Sequence, residues 1–253
     1  MTVYTMTDLL CFWDFQEPPS VSKRANGPFA YELIEQNGPI ERVKDGVFGP
    51  YSAAIKEGQW LSIPRHLCPE LDIQGRQAAV TVVAWVKWDS DRRCQALAGM
   101  WDETRKQRQY CLFFNLTGRY ESERNIHGHV SAVGGPTPGE RYCVTYATGS
   151  ERVPFGKWTM VAMTYDGAYS RVYYNGRLDY NPPYNPYPYD QGLFEADSDG
   201  ADFTVASVSA NGMMKNFFSG QLGGLAIFKR ALSDDEMREL YTTTLSGDFS
   251  KST

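Results

Sequence analysis

The sequence predicts an all-β protein, a two-sheet antiparallel sandwich with one short C-terminal helix. Two apolar runs, at residues 158–165 and 171–174, are followed by Asp166-Gly167 and Asn175-Gly176. Both dipeptides adopt positive φ at little cost, so after apolar runs they are typical of β-hairpin turns. Aromatic residues form 14% of the chain, with 23 Gly and 14 Pro, a composition of strands and turns. We therefore expect a three-stranded meander ending near residue 179.

Other strands are predicted where β-branched and aromatic residues lie between Gly, Pro, Asn or Asp. In chain order these segments are residues 9–15, 29–34, 51–55, 60–63, 79–88, 95–101, 109–116, 126–133, 142–146, 203–208 and 217–228. Residues 180–191 contain four prolines and four tyrosines, which predicts a stiff extended loop without ladder hydrogen bonds. Ser233, three residues before Glu236, predicts a capped helix from residue 234 to about residue 241.

Length and charge limit the domain organisation and the partners. We interpret residues 1–253 as one domain, because all-β sandwiches reach this length as single units. The net charge of −5 and the pI near 5.3 argue against a nucleic-acid partner, since no basic surface would neutralise phosphates. No segment approaches the roughly 20 apolar residues of a membrane helix. The oligomeric state is not predicted by any pattern in the sequence.

The cysteines and the N-terminus favour a reducing compartment. The five cysteines form no C-x-x-C pair and are odd in number, so we expect free thiols. Residues 1–13 lack the basic and apolar regions of a signal peptide. These features predict a cytoplasmic protein, or a secreted one if a leader has been removed from the sequence.

Five stretches resemble motifs of the laminin-G-like, concanavalin A-like lectin and glucanase family. They are LLCFWDFQE (9–17), GVFGPYSAAIKEGQWLSIP (46–64), VTVVAWVKW (80–88), GKWTMVAMTYDGAYSRVYYNGRLD (156–179) and FSGQLGGLAIFKRALSDDEMRELY (218–241). The resemblance implies a jelly-roll sandwich whose first and last strands are neighbours. Many members bind carbohydrate, some hold calcium, and related folds cleave glycans. The chain departs from the family where Gly223-Gly224 replaces an acidic pair, which leaves only Asp14 at that position of the family's calcium.

Residues 180–191 are the first candidate glycan site. Tyr184, Tyr187 and Tyr189 are held between prolines, so their rings could cover the faces of sugar rings with little loss of entropy. The alternative is that the loop lies flat on a sheet and closes the core. A second candidate rim combines Trp101 with Arg105, flanked by the acids Asp102 and Glu103.

Two histidines and an acidic loop are further candidates. His127 and His129 are two residues apart on a predicted strand, so they share a face and could contact a metal or a sugar; the alternative is two ordinary strand residues. Asp197, Asp199 and Asp202 surround Gly200 in a segment without Lys or Arg, which suits Ca²⁺. The alternative there is a solvated surface turn.

Catalytic motifs are weak in this chain. Residues 70–74, ELDIQ, approach the Glu-x-Asp-x-Glu signature of related glucanases, but Gln74 occupies the acid position. Residues 125–127, NIH, only faintly resemble the Gln-Ile-His tripeptide of alginate-type lyases. We therefore predict a non-catalytic carbohydrate-binding domain whose partner is an oligo- or polysaccharide. The alternatives are a glycan-cleaving hydrolase or lyase on the same fold, and a protein-interaction or structural module.

Overall fold

Two packed antiparallel β-sheets form the body of the protein in the computed structural model, which describes residues 2–116 and 123–245. In chain order, the strands and the helix are β1 (Leu9–Trp13), β2 (Lys23–Arg24), β3 (Glu32–Gln36), β4 (Glu41–Val43), β5 (Ser52–Ile55), β6 (Trp60–Ile63), β7 (Val80–Trp88), β8 (Gln95–Asp102), β9 (Gln107–Phe114), β10 (Ile126–Gly134), β11 (Tyr146–Thr148), β12 (Trp158–Tyr165), β13 (Tyr169–Tyr174), β14 (Arg177–Leu178), β15 (Tyr187–Pro188), β16 (Phe203–Val205), β17 (Val208–Ala210), β18 (Met213–Lys215), β19 (Gly220–Phe228) and α1 (Asp234–Thr244). Three short 3₁₀ helices lie at Val3–Thr5, Arg65–Leu67 and Pro69–Leu71.

The first sheet has the order β14-β13-β12-β7-β19-β5-β4, with β1 also paired to β19 and β15 to β13. The second sheet has the order β11-β10-β9-β8-β16-β6-β3-β2, with β17 and β18 added beside β8. The predicted all-β sandwich is confirmed. The first and last strands, β1 and β19, are antiparallel neighbours, as the family resemblance implied.

The predicted meander is present in the first sheet. β12 pairs antiparallel with β13, and β13 pairs antiparallel with β14. Asn175 and Gly176, at the second turn, have φ of 47° and 76°. A two-residue hairpin turn with positive φ at both positions matches the right-handed twist of its strands, which is why Asn-Gly is favoured there.

Aromatic pairs across the interior join the two sheets. Trp13 of β1 stacks on Phe203 of β16 with ring centroids 5.8 Å apart. Trp88 of β7 stacks on Phe114 of β9 at 5.3 Å. All four side chains are fully buried, so each removes a large apolar surface from water and fixes the spacing of the sheets.

The helix α1 packs on the outer face of the first sheet. Ser233 and Glu236 form the predicted capping box, and the helix continues to Thr244, beyond the expected end near residue 241. Met237 is buried in a cluster with Trp85 of β7. The Trp85 indole N–H also donates a 2.8 Å hydrogen bond to the Thr244 hydroxyl, which explains why the last turn is retained.

Gly223 and Gly224, which replace the family's acidic pair, are required by packing. A Cβ on Gly223 would lie 2.8 Å from the Trp158 ring, and one on Gly224 would lie 2.6 Å from the Phe48 ring. Real Cβ atoms do not approach neighbours so closely, because protein interiors are close-packed. The space that carboxylate side chains would occupy at these two positions is therefore filled by the rings of Trp158 and Phe48.

Some sequence predictions about strands were wrong. The strand expected at residues 142–146 begins only at Tyr146. Residues 180–191 do contain ladder pairing, because the short strand β15 joins the edge of β13 through Tyr187 and Pro188. No strand is predicted at residues 70–74, and these residues indeed overlap the 3₁₀ helix Pro69–Leu71, so their acids do not alternate along one face.

The five cysteines are free, and Cys11, Cys68, Cys111 and Cys143 are buried. The prediction of unpaired thiols therefore agrees with the structure, while the cellular compartment inferred from it stays a prediction. No helix within the described ranges is long and apolar enough to span a membrane.

Candidate carbohydrate-binding pocket

A pocket of about 340 Å³ lies on the outer face of the second sheet, over β8, β9, β10 and β11. The described residues that line it are mostly aromatic or apolar, with a few polar groups. They are Cys94, Trp101, Glu103, Arg108, Phe113, Leu116, His129, Tyr142, Cys143, Val144, Tyr146 and Asn216. This combination of a largely apolar cavity and a few polar groups is typical of small-molecule sites.

The alternation of side chains along β10 determines which of its residues face the pocket. Ile126 and Val130 of β10 point into the core between the sheets, so His127 and His129 point to the outer face. His129 lies opposite Cys111 of β9 and Tyr146 of β11 in the strand register. The prediction that the two histidines share one face is confirmed.

His127 is a bonded structural residue. Its Nε2 accepts a hydrogen bond from the Leu116 backbone N–H at 3.3 Å, and its Nδ1 lies 3.2 Å from the Thr148 hydroxyl. Because Nε2 accepts, the proton belongs on Nδ1, which donates to Thr148. Burial lowers the pKa of His127 to about 3. The side chain does not line the pocket, so its predicted contact with a ligand is not supported.

His129 lines the pocket and is only 5% exposed. In the described part of the chain, neither of its ring nitrogens has a hydrogen-bond partner. The imidazole is enclosed by the rings of Trp101, Phe113 and Tyr146, with centroids 5.2, 4.9 and 4.4 Å away. Burial, followed by the charges of His127 and Arg108, lowers the pKa of His129 well below its usual value, so the ring is neutral at pH 7.

Trp101, Glu103 and Arg108 form a polar wall beside His129. The Trp101 indole N–H donates to Glu103 Oε1 at 3.3 Å, and the Arg108 guanidinium lies 5.8 Å from the Trp101 ring centroid. Arg108 Nη1 donates to the Gly134 carbonyl at 3.2 Å, while Nη2 is 3.8 Å from Glu103 Oε2. These contacts hold the Glu103 carboxylate in one orientation, and its side chain remains 29% exposed.

The predicted partnership of Trp101 with Arg105 is wrong. Arg105 Nε donates to Asp102 Oδ2 at 2.8 Å, and its Nη1 donates to the Asp199 carbonyl at 2.8 Å. Arg105 thus ties the β8–β9 turn to the acidic loop and does not line the pocket. Trp101 follows the inward-facing Met100 in β8, so strand alternation places its ring on the outer face of the sheet.

The tyrosine-rich loop contacts both sheets, and none of its three candidate tyrosines is among the described residues that line the pocket. Tyr189 is only 6% exposed, and its hydroxyl accepts the Ala132 backbone N–H at 2.7 Å. Burial raises the pKa of Tyr189 to about 12. The prediction that Tyr189 is an exposed glycan contact is therefore wrong, because its ring belongs to the core. Tyr184 and Tyr187 are half-buried, and their contact with a glycan stays a prediction.

The acidic loop is held by two arginines that come from other parts of the chain. Asp202 Oδ1 accepts the Arg65 backbone N–H at 2.9 Å, and Asp197 Oδ1 accepts the Asp199 N–H at 2.9 Å. Arg105 donates to the backbone carbonyls of Asp199 and Gly200. Among the described residues, no group of three or more His, Cys, Asp or Glu side chains could hold a metal ion. Calcium binding by Asp197, Asp199 and Asp202 stays a prediction without a ligand set to support it.

Sequence reasoning missed several residues of the pocket, namely Arg108, Phe113, Tyr142 and Tyr146. The strand predicted at residues 109–116 begins after Arg108, although β9 begins one residue before Arg108. Tyr142, 59% exposed, stands at the rim on the connection before β11. Only the pairing of β9, β10 and β11 shows that Phe113 and Tyr146 share the outer face with His129, and no local signal reports that pairing.

A laminin G family model, described as the concanavalin A-like lectin/glucanases superfamily, matches residues 57–238. This chain belongs to that superfamily. A search of curated proteins found no match to the chain.

Solved structures of other proteins share the fold of this superfamily member. Domain 4 of AbnA, a GH43 extracellular arabinanase from Geobacillus stearothermophilus in complex with arabinotriose, is 14% identical, with a TM-score of 0.63 over 92% of this chain and 98% of that chain. The Ruminococcus gnavus IT-sialidase CBM40 bound to alpha2,3 sialyllactose is 16% identical, with a TM-score of 0.54 over 75% and 95% of the two chains. Trypanosoma rangeli sialidase in complex with sialic acid is 14% identical, with a TM-score of 0.60, but this chain covers only 34% of it. At such identities the likeness shows the fold.

Proposed function

We propose that this protein binds a carbohydrate in the pocket of the second sheet and does not cleave it. The observation that carries the proposal is the meeting of aromatic rings with a carboxylate and an unpartnered imidazole in one pocket. Sugar rings need apolar surfaces for their C–H faces and oriented polar groups for their hydroxyls, and this lining offers both. Similar folds bound to arabinotriose and sialyllactose support a sugar as the ligand class.

The polar groups have distinct roles in this proposal. Glu103 offers acceptor lone pairs that its contacts with Trp101 and Arg108 leave available to sugar hydroxyls. A buried polar group without a partner destabilises a protein by about 1–3 kcal/mol, and such groups are concentrated at functional sites. The ring nitrogens of His129 are such groups. A sugar hydroxyl would supply the missing partner once a covering ring, such as that of Tyr146, turns aside.

The lining favours binding over hydrolysis. Glycoside hydrolysis ordinarily requires two carboxyl groups that flank the scissile bond. Among the described residues of the pocket, Glu103 is the single carboxylate. His129 has no carboxylate partner in the described chain to orient it as a base. These features support a lectin-like role over the alternative of a glycan-cleaving enzyme.

A glycan array, followed by titration calorimetry and product analysis on each hit, tests the proposal. We expect binding without turnover. Tyr142→Ala removes an exposed rim ring and should weaken binding by about 1–3 kcal/mol, the range for an anchoring aromatic residue. Tyr169→Ala, at a half-exposed position of the first sheet, is the matched control and should leave affinity unchanged.

Four outcomes would contradict the proposal. New reducing ends without unsaturated products would identify a hydrolase, and new reducing ends together with unsaturated products would identify a lyase. Equal losses of affinity in Tyr142→Ala and Tyr169→Ala would place the site elsewhere. Binding of a protein but of no glycan would favour an interaction module.

A further inference from the structure

We propose that the pocket selects uncharged, hydroxyl-rich glycans and discriminates against those whose terminal ring carries a carboxylate. This inference rests on the proposed function and assigns the ligand class of the same site. Its basis is the accessibility of the charged groups that line the pocket.

Glu103 and Arg108 are the formally charged residues among those described in the lining, and they are not equally accessible. The Glu103 side chain is 29% exposed, whereas that of Arg108 is 6% exposed. A ligand in the pocket is therefore exposed mainly to the negative charge of Glu103, although the net charge of Glu103 and Arg108 together is zero.

Arg108 lines the pocket, but its side chain is almost fully buried by protein. Nη1 donates to the Gly134 carbonyl, Nη2 faces Glu103, and Nε is buried with no partner among the described residues. A ligand carboxylate would have to displace Glu103 to form the two parallel hydrogen bonds that make arginine a good carboxylate receptor. It would also lie beside the Glu103 carboxylate, and like charges in a partly enclosed site repel strongly.

The other nearby groups do not reverse this preference. His129 is neutral at pH 7, because burial lowers its pKa. Arg141 lies with its guanidinium 5.2 Å from the Tyr142 ring centroid, but it is exposed to water and does not line the pocket. The attraction of an exposed cation for a distant anion is screened by salt.

A neutral sugar matches the same groups. Its hydroxyls donate to Glu103, and a carboxylate accepts such bonds more strongly than an uncharged oxygen. The aromatic lining adds apolar contact with the C–H faces of the ring. Vicinal hydroxyls on one ring could occupy both Glu103 oxygens without introducing a charge.

Matched oligosaccharides that differ only in a carboxylate test this inference on the unmodified protein. Suitable pairs are the methyl ester of sialyllactose with sialyllactose, and methyl-esterified with free galacturonan oligomers, with arabinotriose as a further neutral probe. We expect the neutral member to bind about tenfold or more tightly, with an affinity that changes little over roughly 0.01 to 1 M salt, a range in which the Debye length falls from about 30 to 3 Å. Tighter binding of the acidic member would overturn the inference and leave the proposed carbohydrate binding intact. Failure of every glycan to bind would overturn both.

Glu103→Gln tests the residue itself, because glutamine keeps an acceptor for the Trp101 N–H and removes the charge. We expect the preference for the neutral member to fall at least tenfold in this variant. Glu32→Gln is the matched control, at an exposed position in β3, near the opposite edge of the second sheet from β10 and β11. This variant should keep the ratio of neutral to acidic affinities of the unmodified protein. If Glu103→Gln has the melting temperature of the parent protein and an unchanged ratio of neutral to acidic affinities, the proposed role of Glu103 would also be overturned. If the variant is unstable, the paired titrations on the unmodified protein still test the preference for neutral glycans.

Discussion

The imidazole of His129 lies nearly parallel to the phenol ring of Tyr146, with centroids 4.4 Å apart and planes inclined by 23°. This contact covers one face of a polar ring whose two nitrogens have no partner in the described chain. The pair joins β10 to β11 at the edge of the second sheet and closes the pocket floor on that side. The same enclosure that shapes the pocket keeps His129 neutral.

Acid should therefore destabilise the protein before its carboxylates titrate. In the unfolded chain a histidine binds a proton near pH 6.5, whereas burial lowers the folded pKa of His127 to about 3 and that of His129 well below its usual value. Below pH 6.5 the unfolded state thus binds more protons than the folded state. The free energy of unfolding therefore decreases as the pH is lowered. We expect a slope approaching about 1.4 kcal/mol per pH unit for each histidine, measured by urea unfolding between about pH 4.5 and 7.5.

His129→Phe separates the contribution of His129 to that slope. Phenylalanine keeps an aromatic ring against Tyr146 and removes both the titration and the unpartnered nitrogens, so the slope should fall by about half. A pH-independent stability of the parent protein above pH 4.5 would contradict this prediction, because it would mean that the two buried histidines bind protons as readily in the folded as in the unfolded state.

Tyr189 should behave as a core residue and not as a ligand contact. Tyr189→Ala empties a buried aromatic site and should lower the free energy of unfolding by about 3–5 kcal/mol. Tyr189→Phe should lower it by about 1 kcal/mol, because the Ala132 N–H loses its acceptor. Glycan affinity per folded molecule should not change, as judged by denaturant unfolding and titration on the same samples. Tyr180→Ala, at a 66% exposed position of the same loop, is the control. Intact stability with lost affinity in Tyr189→Ala would restore the loop as a sugar platform.

The cap of α1 should contribute measurably to stability. The Ser233 side chain accepts the Glu236 backbone N–H, and the Glu236 carboxylate accepts both the Ser233 N–H and a two-point contact from Arg230. Ser233→Ala should lower the free energy of unfolding by about 0.5–2 kcal/mol. Thr242→Ala, near the other end of the helix, is an exposed comparison. Equal effects of the two substitutions, measured by denaturant unfolding, would argue against the cap.

The calcium hypothesis makes a separate prediction. If Asp197, Asp199 and Asp202 bind Ca²⁺, the ion should raise the melting temperature by mass action, with about 2.7 kcal/mol of stabilisation at a concentration of 100 Kd. Asp199→Ala should abolish the rise, whereas Asp166→Ala, far along the chain, should not. Equal shifts with Mg²⁺ and Ca²⁺, or none in the parent protein, would remove this site.

Local chemistry was enough to predict many of the elements. The strands Trp60–Ile63 and Trp158–Tyr165 have the expected bounds, and the helix begins at its predicted cap. Hydrophobic runs, Asn-Gly turns and capping boxes depend on neighbours within a few residues, so the sequence reports them directly. The family motifs lie in the same segments. Through them, the resemblance also predicted the two-sheet sandwich and the pairing of β1 with β19.

The candidate site depended on tertiary structure. The two-residue spacing predicted that His127 and His129 share a face, but not that His127 is bonded to Leu116 and Thr148 while His129 is left without partners. Likewise, composition drew attention to Tyr189, which the fold buries, and not to Tyr142, which it exposes. The sequence by itself determined the sandwich, its principal strands and its helix, because periodicity, turns and caps are local. Only the tertiary structure decided which polar groups face the pocket and which arginines hold the acidic loop, because strand register and burial depend on residues distant in the chain.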